Sequence, residues 1–341
     1  MKQTYKAVAV VAPGKMELVE RTIPAPAKGQ VLIRVEACGI CHSDGGTVEV
    51  AFAGMELPRV PGHEVVGRVE ALGEGVTQWS IGQRVGVGFI GGYDGTCPRC
   101  LRGDFVNCEN PVISGVTTDG GYAEVMLAEA NGIVSVPEDL EAAQASPLLC
   151  AGLTTFNALR NSGARAGDLV AILGLGGLGH LGVQFARKMG FETVAVGRGQ
   201  NKATLAKELG AHHYIDSAEV NPVEALKKLG GASVILATAP NGKSIGSLMA
   251  GLVPGGKMLV VSVPSDPIPA QGYDLVFGTR SIEGSLTGKI IDGADTLRFS
   301  AMQNVLPMIE TFSLEQAPEA YAKMMRGDVR FRAVLVMEQT Q

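Results

Sequence analysis

Three sets of residues in this chain could do chemistry, and each implies a different ligand. The tightest is Cys97-Pro98-Arg99-Cys100 followed by Cys108, a C-x2-C-x7-C pattern in a glycine-bearing loop. Three thiols this close point to a metal ion where disulfides do not form. The competing reading is a loop that binds metal weakly or not at all. The second set is Cys41, His63 and Cys150, in the settings Gly39-Ile40-Cys41-His42-Ser43-Asp44, Pro61-Gly62-His63-Glu64 and Leu149-Cys150-Ala151-Gly152. Two thiolates and one imidazole suit Zn²⁺ and leave a fourth position for water or substrate. Spacing alone does not bring these three together, and each by itself also reads as a buried small side chain or a hydrogen-bonded histidine. The third set is the turn Gly174-Leu175-Gly176-Gly177-Leu178-Gly179. Glycines there let backbone N–H groups approach a pyrophosphate, and a following helix start adds unpaired donors and partial positive charge.

That last reading depends on the flanking elements. Asp168–Leu173 reads as a buried strand and Leu178–Met189 as an apolar helix, which is the context that separates a nucleotide turn from a plain strand-to-helix connection. Context matters in a chain with 46 glycines. The first 150 or so residues read as short strands with β-branched residues and frequent alternation: Tyr5–Ala12, Met16–Glu20, Val31–Ala37, Val65–Leu72, Arg84–Phe89, Tyr122–Ala128 and Ile133–Val136. They predict a barrel-like or sandwich module. From about Gly152 apolar runs alternate with helical patterns. The strands there are Leu169–Gly174, Thr193–Gly197, His213–Asp216, Ser233–Thr238, Met258–Val263 and Ser281–Leu286, with Asn201–Leu209 and Ser244–Leu252 among the helices. Pro254-Gly255-Gly256 reads as a turn between helix and strand. The pattern predicts an α/β fold with a doubly wound parallel sheet. Gln303–Thr311 and Pro318–Met325 read as helices, and the ending strand Arg332–Met337 is expected to pair with the first module.

A length of 341 residues fits two domains, since one core rarely grows past about 250–300 residues. The net charge of −5 with no basic run argues against nucleic acid or a membrane surface as partner. No stretch approaches the roughly 20 unbroken apolar residues of a bilayer span. Met1-Lys2-Gln3-Thr4-Tyr5-Lys6 has no signal-peptide core. The expectation is a soluble cytoplasmic protein that acts on a small molecule.

In chain order, the Cys-His-Ser-Asp at 41–44, the Gly-His-Glu at 62–64, the Leu-Cys-Ala-Gly at 149–152 and the glycine turn resemble the zinc-dependent alcohol dehydrogenases of the medium-chain dehydrogenase/reductase superfamily. The likeness spans essentially the whole chain and is nearest the bacterial and yeast-type enzymes. It implies a β-rich GroES-like catalytic domain at 1–153, completed by 289–341. It implies a Rossmann domain with a doubly wound parallel six-stranded sheet at 154–288. By this resemblance Cys41, His63 and Cys150 ligate a catalytic zinc, Cys₂His being the ligand set of alcohol dehydrogenases. Glu64 would approach the metal when water exchanges, and Asp44 would orient His63 through its second nitrogen. Ser43 would contact the alcohol and accept its proton. A structural zinc would sit on Cys97, Cys100 and Cys108. The family has a cysteine three residues before the first of these, where this chain has Asp94, whose carboxylate is an acceptable harder ligand. The chain would then hold two zinc ions. Cys38 has no counterpart role and reads as a small buried residue.

The same resemblance places His42 and Arg332 near the cofactor pyrophosphate and Thr154 at the nicotinamide. Thr238 with Ala239, Ser262 with Val263 and Ser285 with Leu286 would flank the cofactor, and Phe52 and Phe89 would line the alcohol pocket. One departure is Gly46, which stands where related enzymes often carry a relay histidine, so the proton must leave through Ser43, the cofactor ribose or water.

The residues themselves bear on the cofactor. An NAD site places an acidic residue about twenty positions past the glycine turn. Here the strand ends in Gly197-Arg198-Gly199. Gly197 reads as leaving room for a 2′-phosphate, Arg198 offers a planar cation for it, and Lys202 adds charge. NADP(H) is the expectation, with NAD as the alternative in which Arg198 is merely solvated. His212-His213 reads as structural, and Trp79 has no assigned role. The activity implied is hydride transfer between a primary alcohol or aldehyde and a nicotinamide cofactor, in a homo-oligomer, a tetramer by resemblance. A zinc-dependent polyol or sugar dehydrogenase using NAD is the alternative. A zinc-free reductase or a cofactor-binding protein without catalysis is disfavoured by the intact ligand candidates.

Overall fold

Gln30–Ile40 is the strand around which the first of two units is arranged. Its sequence, Val31-Leu32-Ile33-Arg34-Val35, is β-branched and apolar, and Ile33 and Ile40 are fully buried. It pairs antiparallel with Arg332–Val336, Glu64–Leu72 and Val125–Glu129. The sheet runs Ile309–Ser313, Arg332–Val336, Gln30–Ile40, Glu64–Leu72, Arg84–Val87, Ile133–Ser135, with Val125–Glu129 as its seventh strand. Thr4–Ala12 and Lys15–Thr22 form a separate antiparallel pair. The computed structural model describes residues 3–338; positions 1–2 and 339–341 of the sequence-based ranges lie outside the described residues. The first unit takes in the chain up to Cys150 and from Gly288 onward, and the second is Ala151–Thr287.

The second unit is a six-stranded parallel sheet in the order His213–Asp216, Glu192–Gly197, Leu169–Leu173, Ala232–Ala237, Leu252–Val260, Ser281–Gly284. Counted along the chain from Leu169–Leu173, this is the order 3-2-1-4-5-6 of a Rossmann fold, whose strand order reverses at the first strand. All five residues of that strand are buried, as a central parallel strand covered on both faces requires. The first unit is GroES-like, so both parts of the predicted α/β fold class are present.

Two local expectations are corrected. Gln303–Thr311 is not a helix: the helix Ile290–Gln303 ends there, with Asn304 in the left-handed conformation, and Ile309–Ser313 is a strand parallel to Arg332–Val336. Asparagine is one of the few non-glycine residues that fits such a cap. Pro254-Gly255-Gly256 does not precede its strand. The strand runs Leu252–Val260 through it, and the register slips between the pairs Ala232/Leu252 and Val234/Lys257. Gly255, at φ 76°, supplies the backbone freedom for that bulge.

Candidate metal centres and dinucleotide site

Cys41 comes directly after the long central strand, at the N-cap of the short 3₁₀ turn His42–Asp44. Asp44, three residues on, reaches back so that Oδ2 accepts the Cys41 N–H at 2.8 Å. This is the reciprocal bond of a capping box, and it explains why Asp follows Cys at this interval. His63 immediately precedes the adjacent strand Glu64–Leu72. Cys150 follows the 3₁₀ turn Ser146–Leu149, whose Leu149 packs so closely on Gly86 and Gly88 that a side chain at either would strike it. Sheet pairing therefore does what spacing could not. The candidate ligand atoms of Cys41, His63, Glu64 and Cys150 all lie within 4.8 Å of one another, and all four residues are buried.

The donor set fits a zinc ion. The two sulfurs are 3.9 Å apart. His63 donates Nδ1–H to Asp44 Oδ1 at 2.9 Å, which leaves Nε2 as the basic nitrogen, and Nε2 is buried with no protein partner. An orphaned buried nitrogen beside two thiols is costly unless something outside the polypeptide takes it. Phe89 packs its ring edge-on against His63, centroids 5.2 Å apart. Burial opposes charge on His63, yet the Asp44 carboxylate and Cys41 together hold its pKa well above the ordinary value. Cys41 is pulled well below the usual thiol range, chiefly by the Cys150 thiol, with His63 assisting against burial.

Glu64 is fully buried and shares its Oε1 with the Arg332 guanidinium, while Oε2 has no partner. Burial pushes its carboxyl up to about 7 against the pull of Arg332. Gly39 lies where any Cβ would collide with the Glu64 carboxylate, so that glycine is dictated by the site. No local sequence signal marks this role, because it comes from the pairing of Gly39 with Glu64 on the neighbouring strand. Arg332 thus sits with the metal candidates, its side chain 5 % exposed. His42 and Ser43 are exposed on the same 3₁₀ turn. At Gly46 a Cβ would run into the Phe52 ring, so that ring occupies the space a side chain at 46 would need.

The second cluster is equally close: Asp94, Cys97, Cys100 and Cys108 offer ligand atoms within 4.8 Å of one another. Cys97 N-caps the one-turn helix Pro98–Leu101. Backbone N–H groups of Cys100 and Glu109 point at Cys97 Sγ, and that of Asp94 points at Cys108 Sγ, at 3.4–3.5 Å. The Glu109 N–H, and then that of Cys100, pull the Cys97 thiol below its usual range. Asp94 Oδ1 accepts from Thr96 and Cys97 N–H, and Oδ2 from Asn110 at 2.7 Å. Led by the Asn110 bond, these contacts hold its carboxyl well below the usual range. Asp94 therefore organises the loop as well as facing the sulfurs.

In the second unit, Gly174, Gly197, Thr238, Ser262 and Ser285 all follow or end parallel strands at their carboxyl ends, where open α/β sheets bind ligands. Gly174 is at φ 96°, and a Cβ on Gly179 would collide with the Gly174 carbonyl. Gly176 is different: nothing of the protein lies within 4 Å of where its Cβ would be. The fold itself does not require glycine there, whereas a close-lying pyrophosphate would. Leu178 and Gly179 open the helix Gly179–Lys188. Thr238 Oγ1 donates to the Leu173 carbonyl at 2.8 Å and so braces the turn. Thr154 is buried in the helix Ala151–Arg160, while Arg198, Val263 and Leu286 are exposed and Lys202 is partly so.

Gly197 does not leave the space for a 2′-phosphate that the sequence predicts. Its missing side chain leaves no open room, because the Tyr214 ring fills that space and Tyr214 O–H donates to the Gly199 carbonyl at 2.7 Å. His212 and His213 are tied to Thr193 and Glu192, as structural residues are. A cavity of about 450 Å³ beside Arg21, Arg59 and Asp119 is lined by none of these candidate residues.

Residues 27–138 match the family model "Alcohol dehydrogenase GroES-like domain", and residues 177–310 match "Zinc-binding dehydrogenase". The chain is 43% identical over 339 residues to "Alcohol dehydrogenase notN" of an Aspergillus species, covering 99% of both. Among solved structures, it resembles a cinnamyl alcohol dehydrogenase from Sorghum bicolor at 30% identity and TM-score 0.89, covering 99% of both chains. It also resembles CAD from Helicobacter pylori complexed with NADP(H), at 26% identity and TM-score 0.87 over the full length of both.

Proposed function

The chain belongs to the zinc-dependent alcohol dehydrogenases of the medium-chain dehydrogenase/reductase superfamily, which use zinc and a nicotinamide cofactor, and from that premise we propose that it interconverts primary alcohols and aldehydes with NADP(H). The observation that carries the reading is the buried, unpartnered Nε2 of His63 between Cys41 and Cys150. Those three residues would hold the catalytic zinc, and Asp94, Cys97, Cys100 and Cys108 a second, structural one. When bound, zinc supplies Lewis acidity toward an oxygen and the nicotinamide supplies the hydride chemistry.

The protein's own contribution is positional. Asp44 holds the His63 ring and its tautomer, and Ser43, exposed beside Cys41, would accept the alcohol proton and pass it to solvent. Phe89 against His63, and Phe52 over Gly46, would shape the alcohol pocket. The glycine turn with Gly176 would seat the pyrophosphate at the start of Gly179–Lys188. Arg198 and Lys202 would meet the 2′-phosphate, the preference supported by the NADP(H)-bound relative.

We also assign the protein to the cytoplasm as a homo-oligomer, with a tetramer favoured. No helix among the described residues is long and apolar enough to cross a membrane. Ser281–Gly284 is a sheet edge, and Tyr273, Val276 and Phe277 are each at least 70 % exposed nearby in sequence. The deciding experiment is a panel of primary alcohols, aldehydes and polyols assayed with both cofactors, beside metal analysis. The expected result is highest kcat/KM for an aldehyde with NADPH, with about two zinc ions per chain. Full turnover in metal-free protein overturns the reading, and polyol turnover with NAD replaces its substrate and cofactor.

A further inference from the structure

The turn that carries His63 is gripped by a segment with no role in the chemistry so far described. Gly120 N–H donates to the Val60 carbonyl, Gly121 N–H to that of Gly62 and Tyr122 N–H to that of Pro61, at 2.7–3.1 Å. The contact is backbone on backbone: a Cβ on Gly115 would stand 2.9 Å from Gly62 N, and one on Gly120 would collide with the Gly62 carbonyl. The segment is itself staked. Thr47 Oγ1 donates to the Gly115 carbonyl at 2.9 Å, and Asp119 Oδ1 accepts the Val60 N–H at 3.0 Å. Asp119 is in turn paired with Arg21 at 2.6 Å and Arg59 at 3.5 Å.

The segment ends in Tyr122, which is 0 % exposed. Its O–H donates to Asp44 Oδ2 at 2.9 Å, the oxygen that also accepts the Cys41 N–H at 2.8 Å. The other oxygen of that carboxylate takes the His63 Nδ1–H. A carboxylate held by three donors cannot turn about its Cβ–Cγ bond without breaking one of them. We infer that Tyr122 is a positioning residue for the metal-binding imidazole: it locks the Asp44 carboxylate, and through it the ring plane and tautomer of His63. The inference rests on the reading that Cys41, His63 and Cys150 hold zinc, and it adds a third layer behind the usual carboxylate–histidine pair. The Tyr122 ring is fixed independently, against Gly62, where a Cβ would meet ring carbon Cδ1 at 2.5 Å. Phenylalanine would keep that packing and lose only the oxygen.

The test compares Tyr122→Phe, Asp44→Asn, the double variant and Cys41→Ser with the parent. Zinc affinity is read by chelator competition and ligand geometry by the absorption of the cobalt-substituted proteins. Partners of this kind are worth about 10–100-fold in metal affinity. Tyr122→Phe is expected near the lower end, about tenfold, with a shifted cobalt spectrum. Asp44→Asn is expected to lose more, and the double variant no more than Asp44→Asn alone, because the hydroxyl acts through that carboxylate. The Cys97 cluster is unchanged in all of them and cancels in difference spectra. Zinc affinity and cobalt spectrum unchanged in Tyr122→Phe, or losses that simply add in the double variant, overturn the inference alone. A parent whose cobalt spectrum equals that of Cys41→Ser overturns the underlying metal reading as well.

Discussion

At His63 one ring nitrogen is committed to Asp44 and the other is left basic, buried and unmatched by protein. Replacing His63 with Ala, or stripping metal with a chelator, is therefore expected to lower kcat/KM by at least the roughly 10–100-fold that loss of a ligand's outer partner costs. Added zinc should restore the stripped enzyme but not the variant, as paired assays and metal analysis will check. At the cofactor, Arg198→Ala should raise the KM for NADPH by about 10–100-fold, the worth of a charged hydrogen bond of ~1.5–3 kcal/mol, and leave that for NADH nearly unchanged. Equal effects on both cofactors would remove Arg198 from 2′-phosphate recognition. Gly46 poses a packing question before a chemical one. Because the Phe52 ring fills the space beside it, Gly46→His alone should distort the pocket. Gly46→His with Phe52→Ala should seat the imidazole and make alcohol oxidation less dependent on buffer. An unchanged pH–rate profile in the double variant would show that proton release does not limit turnover.

Among elements, close approach and capping dictate particular residues. Gly39, within the central strand, has no room for a methyl beside Glu64. Gly39→Ala should displace the Glu64–Arg332 pair and cost about 1–3 kcal/mol, measured as a lower urea midpoint. A midpoint equal to the parent's would mean that the pair tolerates displacement. The helix Gly242–Ser247 is capped twice, by Asn241 on the Ser244 N–H and by Asp266 on those of Gly242 and Lys243. The Gly242 N–H, and then that of Lys243, hold the Asp266 carboxyl below its ordinary value of 3.8. A depressed folded-state pKa stabilises above the unfolded value, and that contribution is lost as pH falls through the folded one. Asp266→Asn should therefore be less stable than the parent near neutrality, with the gap closing in strong acid, as urea titrations across pH will register.

For the molecule as a whole, two kinds of sheet divide the work. The mainly antiparallel sheet of the first unit, with the turns beside it, brings residues as far apart in sequence as Cys41, His63, Cys150 and Arg332 to one buried place. The parallel sheet of the second unit lines its candidate contacts along one end of its strands. An exposed aromatic pair, Tyr273 stacked on Phe277 at 4.9 Å, lies in the segment before the sheet edge. Phe277→Glu is expected to lower the molar mass seen by analytical ultracentrifugation while zinc content stays at the parent value. An unchanged mass would exclude this aromatic pair from any contact between subunits.

Periodicity, glycine turns and cysteine spacing were legible in the sequence because they are local: the strand types, the nucleotide turn and the three-cysteine loop each lie within a few tens of residues. Where the helix after Ile290 ends and a strand begins was not legible, since Ile309–Ser313 is a strand only by virtue of its neighbour Arg332–Val336. Nor was the reason for Gly197, which depends on a tyrosine one strand away. The sequence alone named the residue types that could hold zinc and a dinucleotide. Only the tertiary structure decided that Cys41, His63, Glu64 and Cys150 converge, that Arg332 neutralises Glu64 and that Tyr122 backs Asp44. Those contacts join residues up to 268 positions apart, where strand pairing and close packing, not local propensity, set the distances.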